Sequence, residues 1–175
     1  MNLEVLKYPI GRFQLPELVT AETVDQAILA IKRLPENLKE VLCNLSDEML
    51  ERKYRPGGWT IRQVVHHLAD SHMNAYMRFK LALTEENPVI KPYKENLWAD
   101  LADSKLGLDG SVNILTGVHE RWGYLMLNMT EGQWNRRFFH PERDKSISLQ
   151  SNALLYHWHG NHHLAHIHQA ITLEN

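Results

Sequence analysis

Histidine is concentrated near the end of the chain, where six of the eleven histidines fall within twelve residues. They belong to the stretch LLYHWHGNHHLAHIHQA, residues 154–170. Apolar residues recur through this stretch at spacings that suit a packed helix, which excludes a loose terminal tag. Because imidazole is the commonest metal ligand among side chains, the stretch predicts a folded helix that carries candidate metal ligands.

The spacing of these histidines suits a shared metal ion. At 100° per residue, His159 and His163 project only about 40° apart, one turn along the same helix face. His162 and His166 form a second pair with the same spacing. Two imidazoles four residues apart can reach one metal, as they do in the H-E-x-x-H helix of zinc peptidases. Each pair is a candidate for two ligands, and a catalytic metal needs a third.

The stretch VVHHLADSH is the other dense source of histidines, with His66, His67 and His72. His67 shares a helical stripe with Ser71, so it could line a polar pocket. His66 lies on a more exposed stripe, where a pair with Asp70 is the simpler explanation. His72 falls among apolar residues and is either a hydrogen-bonded core histidine or a pocket residue. Three histidines and an open fourth position would describe a catalytic zinc, nickel or iron site.

Not every histidine needs a metal to explain it. Four are interpreted as surface or hydrogen-bonded core residues: His119, His140, His157 and His168. The alternative to an enzyme is a metal-sensing or storage module, or a structural dimer. Structural zinc is usually closed by four protein ligands, so His162 or His72 as a fourth ligand would favour that alternative.

Four segments with helical periodicity must position these side chains. The first follows Thr20 and contains Pro35, which should kink or break it. The second follows Thr60 as a predicted N-cap. The third starts near residues 109–111, and the histidine segment starts near residues 148–151. This pattern predicts an all-α protein, a four-helix bundle that forms a single domain over residues 1–175.

Two segments between the helices differ from the rest. Residues 84–110 are rich in proline, glycine and turn-forming residues, and they are too many for a simple connection. We expect this long crossover loop to form a lid or a wall of a site. Residues 137–149 are short, polar and partly β-prone, which predicts at most a short β excursion.

Composition and charge exclude several functional classes. A formal net charge of −2 gives no electrostatic reason to expect nucleic acid or an anionic membrane as a partner. No apolar run approaches the roughly 18 residues of a membrane span, and the first residues lack the features of a signal peptide. We therefore expect a cytoplasmic protein. The single cysteine, Cys43, excludes an intrachain disulfide and a thiolate cluster, and its helical context predicts that it is buried.

Three stretches closely resemble the DinB-like superfamily: YPIGRF, the run from YRPGGW to VIKPY, and YHWHGNHHLAHI. More narrowly, they resemble its YfiT branch, a group of metal-dependent hydrolases that includes the bacillithiol S-transferases. The similarity extends over nearly the whole chain. It implies a four-helix bundle that forms a homodimer and binds one divalent metal through three histidines near one end, with zinc expected first and nickel as the alternative.

The resemblance also implies which histidines bind the metal. It selects the second histidine of VVHH, which is His67, and the pair formed by His159 and His163 in the last helix. His66 becomes the alternative first ligand. His162 and His166 become the alternative pair.

Three neutral ligands leave the full dipositive charge on the metal, so that a bound water is acidified and a bound thiol is deprotonated. Hydrolysis would normally use a nearby carboxylate as general base, whereas thiol transfer needs none at the attack step. No glutamate lies between His159 and His163, and Asp70 is predicted on the face of His66. This favours transfer of a low-molecular-weight thiol to a small electrophile over hydrolysis, as does the resemblance to the bacillithiol transferases. No catalytic residue beyond the metal centre is predicted.

Overall fold

Four helices of 19 to 24 residues carry most of the chain in the computed structural model, which describes residues 3–173. The elements, in chain order, are α1 (Leu3–Lys7), α2 (Ala21–Leu42), α3 (Asp47–Leu50), α4 (Ile61–Thr84), α5 (Glu95–Trp98), a 3₁₀ turn (Ala102–Lys105), α6 (Asp109–Leu127), α7 (Glu131–Trp134), β1 (Arg137–His140), β2 (Lys145–Ser148) and α8 (Leu149–Thr172). The long helices α2, α4, α6 and α8 pack against one another as a bundle. The predicted all-α four-helix bundle is confirmed.

The starts of the long helices follow from local sequence. The hydroxyl groups of Thr20 and Thr60 each accept a hydrogen bond from the backbone amide three residues later, and the side chain of that later residue accepts one from the amide of the cap residue. Ser148 caps α8 by accepting from the amide of Ser151. These capped starts confirm the predicted ones and fix where each histidine falls along its helix.

Of the two predicted effects of Pro35, a kink or a break in the first helix, the break is wrong. α2 continues from Ala21 to Leu42 with Pro35 buried inside it. A proline leaves the carbonyl four residues earlier without its helical partner, and here that carbonyl belongs to Ile31. The Nδ1–H group of His119, on α6, donates to this carbonyl. Tertiary structure therefore supplies the hydrogen bond that the helix lacks.

The prediction for Cys43 is also wrong. Its side chain is exposed rather than buried, because α2 ends at Leu42 and the residue lies beyond the packed part of the helix. Its thiol donates to the carbonyl of Glu40.

The apolar core consists of two clusters, one around Phe79, Trp122 and Phe138 and the other around Leu38, Leu68 and Ile167. Each long helix passes from one cluster to the other. The change falls between Ile31 and Leu34 in α2, Ala69 and Ala75 in α4, Leu115 and Trp122 in α6, and Tyr156 and Leu164 in α8. In the last three helices, buried or half-buried histidines lie within those intervals. A polar layer therefore separates the two halves of the core.

The connecting segments cover one side of this layer. β1 and β2 form an antiparallel hairpin, with Arg137 opposite Ser148, which confirms the short β excursion. The crossover 84–110 holds α5 and the 3₁₀ turn, and it is fastened to α4 by hydrogen bonds that Arg62 and Gln63 donate to the carbonyls of Leu106 and Ala99. Within residues 3–173 no helix has the length and apolar character required to cross a membrane.

Candidate metal centre

His67, His159 and His163 come together between α4 and α8. One ring nitrogen from each lies within 4.8 Å of the others, and the Nε2 atoms of His67 and His159 are 3.3 Å apart. His159 and His163 occupy consecutive turns of α8, as their spacing requires. Among the described residues 3–173, this is the one group of at least three histidine, cysteine or acidic side chains placed to share a metal.

The chemistry of these donors fits a divalent metal. Burial lowers the pKa of His67 to about 4 and the pKa values of His159 and His163 well below their usual range, with neighbouring imidazoles adding to the effect. A neutral imidazole presents the nitrogen lone pair that a metal requires, whereas an imidazolium does not. Three neutral nitrogen donors suit zinc and nickel.

His66, the alternative first ligand, is directed away from this group. Its Nδ1 lies 2.7 Å from the hydroxyl of Ser111, and its Nε2 lies 3.3 Å from the carbonyl of Leu106. The residue therefore joins α4 to α6 and the crossover, instead of pairing with Asp70 as predicted. Burial and then the charge of Asp103 raise the pKa of Asp70, which places that carboxyl near another acid.

The alternative pair, His162 and His166, lines the same cavity as the three candidate ligands but makes other contacts. The ring of His162 stacks on Trp158, with ring centroids 4.4 Å apart, and His166 stacks on Tyr54 at 3.8 Å. The Nδ1 atoms of His166 and His163 are 3.4 Å apart, and Nε2 of His166 donates to the carbonyl of Lys7 at 3.1 Å. His166 therefore contacts the candidate ligand His163 through Nδ1, and the backbone of α1 through Nε2.

His72 and His119 contact the group from the bundle interior. His72 Nε2 lies 3.2 Å from Nδ1 of His159, and His119 Nε2 lies 2.9 Å from Nδ1 of His72. Both are buried, with 0% and 1% of their surface exposed. The interpretation of His119 as a hydrogen-bonded core histidine is confirmed, but its connection to the metal centre was not predicted. The sequence feature that indicates a buried role for His119 is its position on the apolar stripe of α6, between Leu115 and Trp122.

Two cavities meet at His159, one of the three candidate ligands. A cavity of about 430 Å³, lined by Tyr8, Trp59 and all three candidate ligands, lies beneath the N-terminal segment. A second cavity of about 760 Å³ is lined by His159 and by parts of the crossover and the hairpin. The crossover therefore forms a wall of the site, in agreement with the sequence prediction.

Glu95, at the start of α5, is the acidic residue that sequence reasoning missed. It lines both cavities, whereas Asp70 lines neither of them. Loss of hydration raises the pKa of Glu95, and the charge of Arg143 partly opposes this effect. The sequence feature that points to Glu95 is its place in the crossover: it directly follows KPYK, in a segment predicted to border the site.

Comparison with known proteins agrees with this geometry. A model of the DinB superfamily matches residues 30–167. A protein of Oceanobacillus iheyensis is 50% identical over 161 residues, which cover 92% of this chain and 93% of its own. YfiT of Bacillus subtilis is 47% identical over 163 residues, which cover 93% and 92% respectively. The names of both relatives assign them provisionally to the metal-dependent hydrolases.

The fold agrees as closely as the sequence. A solved structure of Bacillus subtilis YfiT, described as a four-helix bundle of unusual topology, superposes with a TM-score of 0.92 at 46% identity. The superposition covers 95% of each chain. The resemblance found from the motifs is thereby confirmed, and the chain belongs to the DinB superfamily.

Proposed function

We propose that the protein is a divalent-metal-dependent enzyme that activates a low-molecular-weight thiol for S-transfer to a small electrophile. The observation that carries this proposal is a group of three histidines that lines one cavity and, at His159, borders a second. A divalent metal, when bound, supplies the positive charge that lowers the pKa of a thiol. The native metal that we propose is zinc, with nickel as the alternative.

The residues around the group have separate tasks in this proposal. His67, His159 and His163 bind the metal through neutral nitrogens, and their burial keeps them unprotonated. The larger cavity, with Arg78 and Tyr93 on its wall, has room for a small molecule next to His159. Trp59, whose ring centroid lies 4.7 Å from that of His67, packs against one side of that imidazole.

Thiol transfer is favoured because it requires no general base at the attack step. Within residues 3–173 the candidate ligand group contains no carboxylate. Asp70, the acid nearest to the ligands in sequence, lies near Asp103 and lines neither cavity. The motifs shared with the bacillithiol S-transferases support the same choice.

Hydrolysis is the second candidate, and the position of Glu95 favours it. A carboxylate with a raised pKa at the edge of both cavities is suited to accept a proton from an attacking water. The provisional names of the relatives also refer to hydrolysis.

The two candidates are separated by supplying and withholding a thiol. Zinc-loaded protein is incubated with a small electrophile in the presence and absence of a low-molecular-weight thiol, and in parallel with ester and amide substrates alone. We expect turnover with the thiol, and loss of that turnover in His67→Ala, His159→Ala and His163→Ala. Hydrolysis of ester or amide without thiol would overturn the transferase proposal.

We also propose that the protein forms a homodimer. Ile114, Tyr124 and Leu127 of α6 are exposed by 44%, 73% and 57%, which leaves apolar area that a second copy could cover. Light scattering on the eluting protein at micromolar concentration should give twice the mass of one chain. A monomeric mass would contradict this proposal and leave the metal centre unaffected.

A further inference from the structure

We propose that the backbone carbonyl freed by Pro35 sets the tautomers of three histidines in series and so directs the Nε2 lone pair of His159 towards the metal. The residues involved are His119, His72 and His159. This inference rests on the proposed metal centre, but it concerns residues that do not bind the metal. His72 and His119 are positioning residues in this role.

The series begins at a carbonyl with no helical partner. In an α-helix the carbonyl of Ile31 would accept from the amide of residue 35, but Pro35 has no N–H group. Ile31 is 1% exposed, so water cannot easily replace that partner. A buried carbonyl without a hydrogen bond is costly, and the Nδ1–H group of His119 satisfies it. Pro35 thereby makes one acceptor in the bundle interior available to a side chain.

This acceptor fixes the proton positions of the whole series. A carbonyl oxygen can only accept, so the proton of His119 is on Nδ1, and its neutral ring must accept through Nε2. His72 therefore donates from Nδ1 across 2.9 Å and accepts through Nε2. His159 in turn donates from Nδ1 across 3.2 Å. Its Nε2, which lies 3.3 Å from Nε2 of His67, keeps the free lone pair.

Burial excludes the alternative in which one of these rings carries two protons. His72 and His119 are almost completely inaccessible, and among the described residues neither ring has an acidic hydrogen-bond partner; Glu36 acts on His119 only through its charge. A charged imidazolium in such surroundings is strongly disfavoured. Each ring thus has one proton, and the order of donors runs in one direction from His159 to Ile31.

A shorter series holds the other ligand of α8. The carbonyl of Lys7, the last residue of α1, accepts from Nε2 of His166, so Nδ1 of His166 is an acceptor. His163 Nδ1 lies 3.4 Å from that atom and donates to it, which leaves Nε2 of His163 free. Both ligands of α8 are therefore oriented by series that end on backbone carbonyls. Partners of this kind that orient metal-bound histidines typically change metal affinity by about 10- to 100-fold.

The test measures Zn²⁺ affinity and histidine tautomers, neither of which depends on turnover. Affinity is obtained by competition with a chromophoric chelator, and tautomers by ¹⁵N–¹H correlation spectra of the imidazole rings in metal-free protein. The informative variants are Pro35→Ala, His119→Leu, His72→Leu and the conservative His72→Gln. His140→Leu, which removes a buried histidine outside the series, is the matched control.

We expect His119, His72 and His159 to be Nδ1–H tautomers in the wild type. His119→Leu and His72→Leu should weaken Zn²⁺ binding by about 10- to 100-fold. His72→Gln should restore most of the affinity, because an amide can both donate and accept. His140→Leu should bind Zn²⁺ like the wild type.

Pro35→Ala gives the most specific result. The new amide N–H can compete with the Nδ1–H group of His119 for the carbonyl of Ile31, so the tautomer of His119 is held less strongly and the tautomers downstream become mixed. Zn²⁺ affinity should fall although α2 gains a better helix former and thermal stability is retained. A merely structural role for Pro35 would not separate affinity from stability in this way.

Two outcomes would overturn the inference. The first is an Nε2–H tautomer at His72 or His119 in the wild type. Because this is measured on the wild type, it overturns the inference even if a variant fails to fold. The second is Zn²⁺ affinity in folded Pro35→Ala and His119→Leu within twofold of the wild type. If the wild type binds Zn²⁺ and shows the expected tautomers but transfers no thiol, only the proposed function fails.

Discussion

At the scale of single residues, neighbouring histidines of α8 have different tasks. His163 belongs to the candidate ligand group, whereas His162 stacks on Trp158 and His168 is exposed. We expect purified protein to contain about one divalent ion per chain, because three neutral nitrogens form one site. His163→Ala should abolish this metal content, measured by elemental analysis. Retained metal in His163→Ala together with loss in His162→Ala would mean that the other helical pair binds it.

A second prediction concerns Glu95. If thiol transfer is the reaction, Glu95→Gln should change the rate by less than about tenfold, since a general base contributes roughly 10²- to 10⁴-fold only where one is needed. Asp70→Asn is the matched control and should have little effect, because Asp70 lines neither cavity. The measurement is kcat with a thiol and a small electrophile on zinc-loaded protein. A loss of more than about a hundredfold in Glu95→Gln, with metal retained, would contradict this prediction, because it would show that the transfer itself uses Glu95 as a general base.

The sequence predicts the candidate ligands better than it predicts the residues that support them. The spacing of His159 and His163 is local, because four residues always make one helical turn. The contacts of His72 with His159 and of His119 with Ile31 join residues 87 and 88 positions apart. No local pattern records such a pairing. The sequence therefore leaves two roles open for His72 and does not indicate that His119 is connected to the metal centre.

At the scale of elements, Pro35 shows why a correct local rule wrongly allowed a break within the first helix. The rule considers only the N–H group that proline lacks. It predicts a kink or a break in the helix because the carbonyl four residues earlier has no hydrogen-bond partner within the helix. It cannot include His119, which reaches that carbonyl from another helix. The helix starts were easier to predict, because their caps involve residues only three positions apart.

The cap of α4 gives a prediction at this scale. Thr60→Ala removes the acceptor for the amide of Gln63 and should lower the free energy of unfolding by about 1 kcal/mol. Thr84→Ala at the other end of α4 is the control, since that hydroxyl donates only to carbonyls of its own helix. Urea denaturation of both variants measures the difference. Equal stabilities of the two variants would show that the cap at Thr60 does not stabilise α4.

At the scale of the whole molecule, a layer of neutral histidines between two apolar clusters makes stability depend on pH. Burial lowers the pKa of His67 and of His119 to about 4, and the carbonyl of Ile31 only partly opposes the effect at His119. In the unfolded chain both should titrate near their ordinary value of about 6.5. Between these values the unfolded state binds more protons, so the free energy of unfolding must fall as the pH decreases.

This sign gives a specific expectation for the metal-free protein. As the pH decreases from roughly 6.5 to 4, each of the two histidines should lower the free energy of unfolding by about 1.4 kcal/mol per pH unit. The other buried histidines of the layer should make this dependence on pH steeper. Above about pH 7 neither state is protonated at these groups, so they contribute no slope. Urea denaturation in the presence of a chelator at several pH values between 7.5 and 5 measures the effect. His119→Phe should make the free energy of unfolding less dependent on pH, by the contribution of one histidine. A free energy of unfolding that stays constant from pH 7 to pH 5 would show that burial does not keep these histidines neutral.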